Sequence, residues 1–310
     1  MTSNINAILI TLVLILSGTK AMAWGDVGHQ TVGEIAEQIL ANDNVTKSAI
    51  RNILGVEPLA MAATWPDHIR SDGRFDDFAP YHYVTIYKDA KKHTEKDAWT
   101  ILNKYPGVLT SNVFNRESKI IALRYLIHVV GDIQQPLHAG HEYDRGGNDC
   151  IVEWKTNKFI TNLHSVWDTH LVEAVTAKYQ KLEPDVKYYG YKQLARALML
   201  KHKDIVTTPE NLNIPSWVKQ AEELRKTVVY PDKLDDANRP YCQRNRNDVN
   251  PKDIPVINEK YISGVSEIIE KQLVRGGVRL AALLKETLRV NKGHAPTEAE
   301  ILEILKLHND

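Results

Sequence analysis

The pattern of apolar and polar positions is helical along most of the chain. Between residues 29 and 40, Val32, Ile35, Ala36, Ile39 and Leu40 recur with a 3.6-residue period, which predicts an amphipathic helix. Residues 44–54 predict a second, short helix that Gly55 ends. Residues 95–102 have helical spacing, with a break expected at Pro106-Gly107. Residues 117–134 are strongly apolar on every face, as a central buried helix would be, and Pro136 stops them. Further helices are expected at 163–179, 190–202, 216–229 and 258–286. The stretch 150–161 differs. Ile151, Val152 and Trp154, then Phe159 and Ile160, flank Lys155-Thr156-Asn157-Lys158, a pattern for a β-hairpin or an irregular loop. Residues 231–255 hold four prolines among many polar side chains and predict a long surface loop. The expected class is all-α, or mainly α, with one small hairpin.

Composition narrows this only a little. With 310 residues, 43% hydrophobic and 25% charged, the chain can bury a core and is not disordered. No linker, repeat or low-complexity stretch divides it, so residues 24–290 are expected to form one domain. A charged tail, 291–310, follows, with one amphipathic set at Ile301, Ile304 and Leu305. The formal net charge is zero, which excludes wrapping of duplex nucleic acid through a broad basic face. Any nucleic acid must be held at a local site.

The first residues carry an address. An apolar run from 7 to 16 precedes Ala21-Met22-Ala23, a small-x-small cleavage signal. The run is too short for an ordinary membrane span. Residues 1–23 are therefore expected to be a signal peptide cut before Trp24, giving a secreted or periplasmic protein without stable membrane association. The feature that departs from the usual pattern is charge, since Lys20 follows the run and no Lys or Arg precedes it; an uncut N-terminal anchor is the alternative. Two cysteines, Cys150 and Cys242, can be oxidised in an exported chain or stay as buried thiols. Asn44-Val45-Thr46 is a glycosylation sequon, which matters only in a host that glycosylates.

Histidines and aspartates carry the candidate chemistry. His128 and Asp132 stand four apart in the apolar central helix, and His164 and Asp168 stand four apart in the next long one. An i, i+4 pair shares one helical face and can grip one metal ion. A carboxylate buried in apolar surroundings costs several kcal/mol unless it is paired or metal-bound. The bland alternative is a His–Asp hydrogen bond in the core; two such pairs, with His138 just past the first helix, argue against it. His29, Asp67 and His82 are further candidates upstream. With so few cysteines the donors would be nitrogen and oxygen only, which suits catalytic zinc.

Over nearly its whole length after residue 23 the sequence resembles the S1/P1 nuclease family. The matching stretches are Trp24-Gly25-Asp26-Val27-Gly28-His29, Trp65-Pro66-Asp67 with Arg70, Tyr81-His82-Tyr83-Val84, His128 through Asp132 to Gln134-Gln135-Pro136-Leu137-His138, Asp144-Arg145-Gly146-Gly147-Asn148 and Asn162-Leu163-His164-Ser165-Val166-Trp167-Asp168. Ser216-Trp217, Val228-Val229-Tyr230 and Gln272-Leu273 to Arg279-Leu280-Ala281 continue the series.

The resemblance implies the single-domain helical fold shared by phospholipase C and P1 nuclease, and three zinc ions. Asp67, His82, His128 and Asp132 would hold one, and Trp24, through its amine and carbonyl, with His29 and Asp132 a second. His138, His164 and Asp168 would hold the third. It also implies metal-assisted hydrolysis of single-stranded DNA and RNA to 5′-phosphate products, with 3′-nucleotidase activity, by a monomer. Arg70, with Asp67 and Asp132, would act on the phosphoryl group, Tyr83 would stack on a base, and Asn148 would lie in a loop beside the metals. Thr85 departs from the family pattern, which has Asn or Asp there, so base preference does not carry over. The zinc phospholipase C family shares the fold and is the alternative. Asp168 as final ligand and the 26-residue gap from His138 to His164 favour the nuclease.

Overall fold

The computed structural model describes residues 24–87, 96–155, 159–180, 190–210, 212–234, 238–242 and 246–289. The expected signal peptide 1–23 and the tail 291–310 lie outside the described residues. The helices are α1 (Asp26–Ile39), α2 (Asn44–Leu54), the short α3 (Leu59–Ala62) and α4 (Trp65–His68), α5 (Ala98–Thr110), α6 (Arg116–Asp132), the single turn α7 (Leu163–Ser165), α8 (Leu171–Gln180), α9 (Gly190–Lys201), α10 (Lys203–Thr207), α11 (Ile214–Leu224) and α12 (Glu259–Arg289). The protein is mainly α, as the periodicity predicts.

Local chemistry sets the helix starts. Asp43 accepts from Thr46 N, Asp97 from Thr100 N and Asn115 from Ser118 N, each satisfying an orphan donor of a first turn. α6 is buried on every face from Leu126 to Asp132, so its polar residues His128 and Asp132 are carried into the core. α12 crosses α1 closely: a Cβ on Gly277 would stand 2.3 Å from Ile35 Cγ2, so only glycine admits this approach. Buried apolar side chains from these helices form one continuous cluster. No helix among the described residues is long and apolar enough to cross a membrane.

Two expectations are corrected. The helix predicted at 95–102 begins at Ala98 and runs through Pro106-Gly107 to Thr110. Tyr105, Val108 and Leu109, buried on both sides of the proline, hold the helix against α6. The helix predicted at 163–179 is interrupted: a π turn, Val166–His170, separates α7 from α8 and carries Asp168. A second π turn, Arg225–Val229, ends α11.

The hairpin forms from β3 (Ile151–Trp154) and β4 (Phe159–Asn162), antiparallel, with β5 (Val256–Ile257) added in parallel to β3. A separate parallel pair joins β1 (Val84–Ile86) to β2 (Ala139–His141), with Val84 opposite Ala139. The pattern did not announce this pair, since three residues are too few for alternation to show. Cys150 and Cys242 form a disulfide. It pins the loop after residue 231 to the hairpin and closes a 92-residue separation, worth about 4–5 kcal/mol in the loop-entropy account.

Candidate metal centre

The last turn of α6 delivers His128 and Asp132 to one point, four residues apart on one face. His29 of α1 faces them. His29 Nε2 lies 3.1 Å from Asp132 Oδ1, and His128 Nε2 lies 3.1 Å from Asp132 Oδ2. The His29 and His128 rings stack at 3.9 Å. Asp67 comes from α4, and His82 ends the 3-10 stretch Gly73–His82. His82 Nδ1 is 3.3 Å from Asp132 Oδ2 and 3.6 Å from Asp67 Oδ1. Asp67, His82 and His128 form one donor set and His29, His128 and Asp132 another.

A third set stands beside these. His138 ends a 3-10 turn after α6, and His164 lies in α7. His164 Nε2 is 3.0 Å from Asp168 Oδ2, and His138 Nε2 is 3.7 Å from Asp168 Oδ1. The two imidazoles stack at 5.0 Å. The loop from Asp144 positions His164. Gly146 and Gly147 adopt φ of +63° and +78°, and a Cβ on Gly146 would meet Leu137 O at 2.5 Å. With that close approach allowed, Gly146 O accepts a bond from His164 Nδ1 at 2.7 Å.

These donors fit metal ions. Carbonyls can only accept, so the contacts of His128 Nδ1 to Ala63 O (2.6 Å), His138 Nδ1 to His82 O (2.7 Å) and His164 Nδ1 to Gly146 O fix the proton on Nδ1. Each Nε2 is left with a lone pair facing the cluster, the arrangement of a metal-ligating histidine. His29 Nε2, Asp67 Oδ1, both Asp132 oxygens, His138 Nε2 and Asp168 Oδ2 are buried yet make no well-aligned hydrogen bond. Such groups are costly unless something else satisfies them. Donor separations of 3.0–3.8 Å bracket the about 3.3 Å edge of a tetrahedron with zinc-length bonds.

The electrostatics show the same strain. Burial pushes the carboxyl of Asp132 up, but His128, His29 and His82 together hold it well below its ordinary value. Burial and the neighbouring His128 push His29 down, and burial likewise pushes His82 down. For His138 burial is outweighed by Asp168 and Asp132, and its value is pushed up to about 9.

A cleft of about 520 Å³ opens over the cluster. His82, His138 and His164 reach it, and Arg70, Tyr83, Thr85, Arg145 and Asn148 line it. Arg70 Nη1 is 3.5 Å from Asp67 Oδ1. Tyr83 is 42% exposed, so it is not a core residue. Asn148 donates to Arg145 O at 2.9 Å and supports the turn while facing the cleft. Trp24 is fully buried; its indole Nε1 donates to Gly131 O at 2.8 Å, and Gly25 N donates to Asp168 O at 2.8 Å. The structure thus brings His29, Asp67, His82, His128, Asp132, His138, His164 and Asp168 into the donor sets and Arg70, Tyr83 and Asn148 to the cleft, while Trp24 is seated beside them through its indole.

Sequence reasoning missed Gln135, whose amide donates to Asp168 Oδ1 at 2.6 Å. It also missed the backbone carbonyls that orient the imidazoles, since a carbonyl has no sequence signature.

Buried nitrogen and oxygen donors opening on a cleft with an arginine and an exposed tyrosine make a candidate metal-binding centre. The chain belongs to the S1/P1 nuclease family, whose model matches residues 24–289. It is 28% identical to Endonuclease 4 of Arabidopsis thaliana over 307 residues, covering 93% of this chain and 96% of the relative. It is 30% identical to Nuclease S1 of Aspergillus oryzae over 186 residues, covering 54% and 63%, and 25% identical to Nuclease P1 of Penicillium citrinum, covering 85% and 97%. The protein is a nuclease, a hydrolase of phosphodiester bonds, and the phospholipase alternative falls away.

Proposed function

We propose that the protein is an exported, zinc-dependent endonuclease that cuts single-stranded DNA and RNA to 5′-phosphate products and also removes phosphate from 3′-nucleotides. The observation that carries the reading is a set of buried, unsatisfied nitrogen and oxygen donors beneath a cleft with an exposed tyrosine. Three zinc ions per chain are proposed. Asp67, His82, His128 and Asp132 would hold one, Trp24 (amine and carbonyl), His29 and Asp132 the second, and His138, His164 and Asp168 the third. Ions bound there supply Lewis-acid charge and lower the pKa of water.

The chain's own groups do the rest. Asp132 offers two oxygens, so one carboxylate can serve two sets. The Arg70 guanidinium, 3.5 Å from Asp67 on the cleft wall, would donate to phosphoryl oxygens as charge develops on them. Tyr83 offers a ring face for a base, which a strand can reach only when unpaired. Asn148 contributes an amide on the same wall. Removal of residues 1–23 as a signal peptide frees the α-amine of Trp24; before that cut it is an amide, a poor metal ligand. Export, one domain over 24–290 and a monomeric state complete the reading.

The test compares hydrolysis of denatured and duplex DNA at matched ionic strength, with and without a chelator. Denatured DNA should be cut faster, and chelation should abolish cutting until zinc returns. Equal rates on both substrates would remove the role given to Tyr83. Activity indifferent to verified metal loss would remove the metal centre.

A further inference from the structure

Gln135 sits at the corner between α6 and the turn that carries His138, with no exposed surface. All four of its polar groups are engaged. Its N–H donates to Asp132 O at 2.9 Å, and its C=O accepts from His138 N at 2.9 Å. Its Oε1 accepts from Leu137 N at 2.5 Å, and its Nε2 donates to Asp168 Oδ1 at 2.6 Å. One residue therefore joins the backbone of Asp132, the backbone of His138 and the carboxylate of Asp168, which comes from a π turn 33 residues away.

An amide is the group this corner needs. It can accept from Leu137 and donate to Asp168 at once, while carrying no charge against the carboxylate. With Oδ1 held by Gln135, the other oxygen, Oδ2, is the one that faces His164 at 3.0 Å and makes no well-aligned bond of its own. The amide thus holds Oδ1, which lies 3.7 Å from His138 Nε2, and so sets the turn of the carboxylate that points Oδ2 at His164. A ligand fixed in advance needs less ordering when the ion arrives, and partners of this kind commonly contribute 10- to 100-fold in metal affinity.

We propose that Gln135 is a positioning residue for the third donor set: it locks the Asp168 carboxylate to the His138 turn, and that set's affinity for its ion depends on the lock. The proposal rests on the reading that His138, His164 and Asp168 hold an ion.

The experiment measures zinc bound per chain over a range of buffered free zinc, on the full protein, for the wild type, Gln135→Met, Gln135→Glu and Asp168→Ala. Met keeps the volume and removes both side-chain bonds. Glu keeps an acceptor for Leu137 but sets a carboxylate oxygen against Asp168, pushing it out of register. Both Gln135 variants should hold two ions as the wild type does and release the third at about 10- to 100-fold higher free zinc. Excess zinc should restore kcat, with KM little changed. If Asp168→Ala keeps the same ions as the wild type, the reading of the third set fails, and the proposal with it. If Asp168→Ala loses one ion while Gln135→Glu keeps all with wild-type affinity, Gln135 has no positioning role. Equal weakening of all three ions, or no recovery with excess zinc in a folded variant, would reduce Gln135 to general support and overturn the proposal.

Discussion

The two halves of the centre are built differently. His29, His128 and Asp132 stand on α1 and α6, long helices buried against α12 and α5. His138, His164 and Asp168 stand on a 3-10 turn, a one-turn helix and a π turn. In the first half, long-helix packing carries His29, His128 and Asp132, with Ala63 O orienting His128, while Asp67 and His82 join them from the short α4 and a 3-10 stretch. In the second half, the scaffold is a set of specific bonds: Gly146 O to His164, His82 O to His138 and Gln135 to Asp168. Precision there depends on a few hydrogen bonds and one glycine turn.

Ligand removal gives the largest contrast. Asp132→Ala takes away the carboxylate shared by three imidazoles, so hydrolysis of denatured DNA should fall to background. Stability should drop by about 3–5 kcal/mol, as for a broken buried charge pair. Asp168→Ala should cost activity but leave zinc on the helix-borne half. Metal counting and calorimetry on the two variants decide this, and a larger loss of bound metal from Asp168→Ala would invert the comparison.

Next comes the glycine turn. Gly146→Ala puts a Cβ at +63° φ and 2.5 Å from Leu137 O, so the turn must open. The expected loss is about 1–3 kcal/mol, together with weaker zinc binding confined to the His138–His164–Asp168 half. Unchanged zinc stoichiometry in a folded Gly146→Ala protein would show that the loop does not govern His164.

The smallest effect is a control far from both halves. Asp43 caps α2 and pairs with Arg289 at 2.9 Å near the end of α12. Burial pushes its carboxyl up, but Arg289 and Thr46 outweigh this and hold it at about 2. Its folded value lies below the unfolded value of about 3.9, so its stabilisation is complete above that pH and fades as pH falls towards 2. Asp43→Ala should cost about 1 kcal/mol at neutral pH, leave zinc binding alone and flatten the acid limb of stability between those values. A change in bound zinc would show that the scaffold is not independent of the centre.

The legibility of the sequence follows the same division. Helix periodicity exposed α1, α6 and α12, and His128 with Asp132 stood out because a charged pair interrupts an apolar helix. His164 and Asp168 had the same spacing, yet the π turn that carries Asp168 left no mark in the pattern. Pro106 read as a break, because a proline's cost is local whereas the burial of Tyr105 and Val108 that offsets it is tertiary. The β1–β2 pair, the orienting carbonyls and the role of Gln135 were invisible, being relations between segments far apart in the chain. Arg70 and Tyr83 were named through family resemblance alone; no spacing rule singles them out.

The seat of Trp24 has a further consequence for how the molecule comes into being. Its indole binds Gly131, 107 positions later, and the next residue binds the carbonyl of Asp168. A growing chain therefore has nowhere to put Trp24 until α6 has been made, and cannot fasten it until the π turn follows. No early fragment can hold a finished centre. The order of synthesis therefore completes these two fastenings only once the chain is more than half built.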